Sequence, residues 1–165
     1  MILRSIPLIF LFLNSVFGFA QIQEDWYGHY KGDLISTNAK GDSYTYNMEL
    51  IFQPLTDSTW DWTIIYGEDS LRQEREYTLI LRNGNYFIDE NNGIVLENKL
   101  FGNQFSSFFE VEGNYIQAIY LFENNSMEFT LTSSQKGTNT GGGEEIPKVH
   151  SYTIIAFQTA LLKKI

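Results

Sequence analysis

Leu71-Arg72-Gln73-Glu74-Arg75-Glu76-Tyr77-Thr78-Leu79-Ile80-Leu81 decides the fold class. Side chains alternate between the two faces of a strand. One face of this stretch carries Leu71, Gln73, Arg75, Tyr77, Leu79 and Leu81, and the other carries Arg72, Glu74, Glu76, Thr78 and Ile80. Charges of both signs alternate on the second face, which reads as solvated. Arg75 therefore falls on the face that reads as core.

The same period of two recurs on either side, and no segment after Gln21 shows a convincing helical period. Trp26, Gly28, Tyr30, Gly32 and Leu34 line one strand face; Tyr44, Tyr46, Met48, Leu50 and Phe52 line the next; Trp60, Trp62, Ile64 and Tyr66 line the third. Beyond the Arg75 strand, Asn83-Gly84 is a strong hairpin signal. Short strands then follow, separated by turns at Asp89–Gly93, Gly102-Asn103, Gly113-Asn114 and Asn124-Asn125. A loose Gly/Thr-rich loop is expected from Gln135 to Glu145, before a final strand, Val149–Leu161, that is apolar on both faces. The expectation is an all-β antiparallel up-and-down meander of about ten strands that closes into a barrel, with a two-sheet sandwich as the alternative. The doubly apolar last strand suits a closing position or an interface with a second copy of the chain.

The 165 residues carry a net charge of -9, 43% hydrophobic and 16% aromatic residues, and no cysteine. That composition supports one folded domain, and it excludes disulfides, thiolate metal sites and a cysteine nucleophile. Clustered Lys and Arg are absent, which argues against nucleic acid as a partner. Residues 1–20 read as a signal peptide: Arg4, an apolar run from Ile6 to Phe12, and small residues at Gly18 and Ala20 before a cut at Gln21. The mature domain, 21–165, is then exported to the periplasm or the exterior, with no membrane span remaining.

The opening Trp26–Gly32 (W-Y-G-H-Y-K-G), the meander and the Arg75-x-Tyr77 pair together resemble the calycin group of lipocalins, fatty-acid-binding proteins and nitrobindin-like barrels. In fatty-acid-binding proteins an Arg-x-Tyr pair grips a ligand carboxylate from the final strand, whereas here the pair lies on about the fourth. The helical lid of that family has no counterpart. Nitrobindin-like barrels bind haem through a histidine, which makes His150 the residue to test as a haem ligand. No other cofactor or metal is expected.

The predicted inward faces supply Trp60, Trp62, Tyr66, Tyr77 and Tyr115 as aromatic wall, with Gln73 and Gln117 as neutral polar points and Arg75 as the one cation. An enclosed unpaired guanidinium would cost several kcal/mol. Water, an anionic ligand or a rim acid such as Asp61, Glu74 or Glu110 must compensate it. His29 shares a face with Lys31 and Asp33 and is expected to meet water. There is no G-x-S-x-G, H-E-x-x-H or phosphate-binding glycine loop, so the sequence favours a non-enzyme. The leading reading is a barrel that binds a small amphipathic or acidic molecule, Arg75 and Tyr77 gripping its polar head. The alternatives are a structural or interaction domain of the bacterial envelope with a filled core, and a lyase- or isomerase-type enzyme in the same barrel.

Overall fold

The computed structural model describes residues 21–144 and 146–165, and for residues 138–140 the backbone alone. The expected signal peptide lies outside the described residues. Ten strands form a single closed sheet: β1 (Gly28–Asn38), β2 (Ser43–Thr56), β3 (Thr59–Tyr66), β4 (Gln73–Arg82), β5 (Asn85–Asp89), β6 (Val95–Phe101), β7 (Gln104–Val111), β8 (Asn114–Glu123), β9 (Ser126–Gly141) and β10 (Val149–Lys164). Each strand pairs antiparallel with the next, and β10 closes on β1. The expected meander is therefore correct and the sandwich alternative is not. Closure leaves no strand of the barrel proper with an unpaired edge.

Tight turns set the register. Asn83 (φ 53°) and Gly84 (φ 76°) both take positive φ, the pattern of a two-residue type I′ hairpin loop. Glu112 (φ 51°) and Gly113 (φ 78°) do the same, so the turn before β8 falls one residue earlier than the sequence suggested. At the closing seam Gly32 is required: a Cβ there would stand 2.5 Å from the Leu161 carbonyl oxygen. The segment expected as a loose loop is instead strand as far as Gly141, where β9 and β10 continue past the barrel as a two-stranded ribbon.

One end of the barrel is filled. A 3₁₀ turn, Glu24–Trp26, precedes β1 and drops Trp26 into the end of the sheet. Trp26 stacks on Phe122 at 5.2 Å, and Phe122 in turn meets Tyr30, Phe52, Trp62 and Phe105. The Tyr30 hydroxyl donates to the Trp26 carbonyl at 2.6 Å, fixing the plug to β1. These rings are fully or almost fully buried, and each such side chain contributes on the order of 1.5–3 kcal/mol of burial. Burial and desolvation push the Tyr30 phenol up to about 12, with Asp25 adding to the effect. The opposite end is not filled, and the candidate site lies there.

Candidate functional site

Two connected hollows occupy the open end. A vestibule of about 480 Å³ is lined by Leu34, Tyr46, Tyr66, Leu71, Gln73, Arg75, Leu131 and Gln158. Beneath it a chamber of about 100 Å³ is lined by Tyr77, Ile88, Glu90, Ser107, Phe109 and Tyr120, among others. Tyr66, Arg75 and Leu131 line both, so they mark the passage between them.

Strand alternation places Arg75 there. On β4, Gln73, Arg75, Tyr77 and Leu79 run down the inner face from the mouth to the core, and Leu79 is fully buried. Arg75 pairs with Ile64 across the β3–β4 ladder. Its guanidinium carbon lies 5.3 Å from the centre of the Tyr66 ring, a cation–π distance. Desolvation pulls the guanidinium pKa down, but the Tyr77 hydroxyl, Tyr66 and Glu90 outweigh it and raise the value. Burial pushes the Tyr66 phenol up, against the pull of Arg75. Tyr120, deeper still, is raised chiefly by desolvation.

The structure corrects the expectation of an enclosed cation. Arg75 is exposed at the mouth, where water reaches it, so the guanidinium carries only a partial desolvation cost. None of the rim acids considered from the sequence is its partner. Glu74 pairs with Arg72, Asp61 accepts from Thr63, and Glu110 sits beside Tyr115 on the outer face. The acid that faces Arg75 is Glu90, which lines the chamber without forming an ion pair among the described residues. Glu90 continues the Tyr86–Ile88 alternation of β5, a signal hidden by reading Asp89–Gly93 wholly as a turn. That turn is built by Asp89 Oδ1 accepting from the Asn91 backbone at 2.8 Å.

The other expected site residues divide. Gln73, Tyr66 and Tyr77 line the hollows as expected. Trp60 and Trp62 do not: they are buried in the packed part of the core, Trp60 against Tyr86 and Trp62 against Phe52, Phe105 and Tyr120. Tyr115 and Gln117 face outward. Ala118, Tyr120 and Phe122 carry the inner face of β8, while Tyr115 stacks on the exposed Phe108 and meets Tyr152 edge-on at 4.8 Å. Glu90, Tyr120 and Gln158 line the hollows as well, although the strand pattern did not single them out, and so does Tyr46, which alternation put on one face with Met48 and Leu50.

The histidines lie elsewhere. His150 is exposed on the β9–β10 ribbon, opposite Asn139 and outside both hollows. His29 is on the outer face as expected, where its Nε2 lies 2.6 Å from Glu49. Among the described residues no three His, Cys, Asp or Glu side chains converge as a metal site. No helix there is long and apolar enough to cross a membrane.

No family model and no curated protein matches the sequence. Solved structures match the fold. A protein of unknown function of the DUF3598 family from Nostoc punctiforme aligns with TM-score 0.61 and 9% identity over 86% of this chain, which spans 48% of that protein's length. The S-type phycobiliprotein lyase CpeS from Guillardia theta aligns with TM-score 0.61 and 8% identity, over 86% of this chain and 89% of that one. Rv2717c from M. tuberculosis aligns with TM-score 0.53 and 10% identity, over 86% and 94%. The chain shares with these proteins the fold of a closed antiparallel β-barrel, here of ten strands.

Proposed function

We propose that the protein is an exported barrel that binds a small amphipathic or acidic molecule at its open end, with Arg75 and Tyr77 gripping the polar head. The observation that carries this reading is the placement of Arg75 at the passage. Its guanidinium is braced by Tyr66 and Tyr77, and among the described residues it has no ion-pair partner. Its planar donor fork suits a carboxylate, and an apolar chamber with few polar groups suits the body of a small molecule. Export rests on the signal-peptide pattern of residues 1–20.

A filled structural domain fits the plugged half of the barrel and not the chamber. A lyase or isomerase would need an acid–base pair. Glu90 is the one carboxylate lining the chamber among the described residues, and the Arg75 beside it keeps its proton. A second copy of the chain would pair along Val149–Ile155, because β10 from Ala156 onward already bonds to both β1 and β9.

Binding of cinnamate and of its neutral amide, followed calorimetrically in wild type and Arg75→Ala, tests the reading. Arg75→Ala should weaken the acid by about tenfold or more, as expected for a charged hydrogen bond, and the amide far less. Equal loss for both would refute the role of Arg75.

A further inference from the structure

Two opposite charges border the same small chamber without closing on each other. Arg75 and Glu90 both line it, and among the described residues neither belongs to an ion pair. They are near enough for Glu90 to help hold the guanidinium pKa up.

The backbone holds Glu90 in that place. The β4–β5 ladder ends at Thr78↔Asp89, so Tyr77 and Glu90 are the next facing positions, and Arg75 follows Tyr77 on the inner face of β4. The turn after β5 is tied back to β4, because Asn91 Nδ2 donates to the Glu76 carbonyl at 2.8 Å and to Thr78 Oγ1 at 3.3 Å. Asn92 Nδ2 donates to Glu90 Oε2 at 3.1 Å. That amide is neutral, so it orients the half-buried carboxylate without supplying a countercharge.

The volumes set the size of what answers both charges. At about 30 Å³ per water, a chamber of about 100 Å³ holds a few waters or one small polar head. A head that meets both charges in so small a space must carry its own two charges close together. An acid alone gains Arg75 and faces repulsion from Glu90; an ammonium beside the acid turns that repulsion into attraction. The vestibule, about 480 Å³ and walled in part by Leu34, Tyr46, Leu71 and Leu131, has room for the rest of the molecule. We propose that the ligand is a zwitterion of the α-amino-acid type with an apolar side chain, its carboxylate at Arg75, its ammonium at Glu90 and its side chain toward the vestibule. This inference rests on the acid-binding reading above and adds the ligand's second charge.

The experiment compares phenylalanine with 3-phenylpropionate, which lacks only the ammonium, by calorimetry on the full chain. Wild type should prefer phenylalanine by about tenfold, the worth of a hydrogen bond between charged groups. Glu90→Gln should move the two in opposite directions, weakening phenylalanine and tightening 3-phenylpropionate, whereas Arg75→Ala should weaken both. The wild-type comparison stands by itself if the Glu90→Gln variant does not fold. Equal or tighter binding of 3-phenylpropionate to wild type, or a preference for phenylalanine that survives Glu90→Gln, overturns the inference and leaves acid binding at Arg75 standing. Failure of both compounds to bind overturns both.

Discussion

Tyr66 and Arg75 are diagonal neighbours across the β3–β4 ladder: Tyr66 pairs with Gln73, Arg75 pairs with Ile64, and the guanidinium reaches over the ring at 5.3 Å. Diagonal positions are within reach of long side chains. The contact holds the charge against the barrel wall and keeps its outer donors turned to the vestibule.

Glu90 opposes that charge from β5's end of the mouth. Glu90→Gln removes a carboxylate that an incoming anion would otherwise face. Affinity for cinnamate should rise by about threefold to tenfold, the size of one charge contact in a high-dielectric site. Calorimetry at low and high salt checks it, and the gain should shrink as salt screens the mouth.

On the outer face, Glu49 accepts from His29 at 2.6 Å and from Asn47 at 3.2 Å, and pairs with Lys31 at 3.1 Å. Burial pushes the Glu49 carboxyl up, but these partners outweigh it and hold the pKa below the usual carboxylate range. A depressed carboxylate stabilises the fold above its unfolded pKa, and that contribution is lost as pH falls through the folded value. Glu49→Gln should therefore cost about 1 kcal/mol at neutral pH and converge on wild type in acid. Urea unfolding midpoints across the acid range give the comparison.

Gly32→Ala probes closure. The added methyl would meet the Leu161 backbone oxygen at 2.5 Å, where no flexible side chain can yield. The β1–β10 seam should loosen, with a loss of about 1–3 kcal/mol. Faster amide exchange confined to Lys31–Leu34 and Ala160–Lys163 would mark the seam. Wild-type exchange there would show that the strands shift without opening.

The barrel was legible because period-two alternation and two-residue turns recur along the whole chain; Asn83-Gly84 and the β2, β3 and β4 faces fall where the pattern put them. The wall lining the hollows was less so. Both faces of β8 are apolar, so hydrophobicity could not choose between Tyr115 and Tyr120. The turn could: a two-residue Glu112–Gly113 loop pairs Val111 with Asn114 and Glu110 with Tyr115, which puts Tyr115 on the outer side with Glu110. Trp60 and Trp62 were placed on the correct face, but alternation gives a side, not a depth. How far down the barrel the plug reaches depends on Trp26, which alternation assigned to the first strand face and which the structure places in a 3₁₀ turn before β1.

That plug makes the molecule a cup rather than a tube. With Trp26 and Phe122 sealing the base, a guest leaves by the route it arrived, and a newcomer must wait for the vacancy. Exchange of one bound compound for another should then run at the departure rate of the first, whatever the concentration of the second.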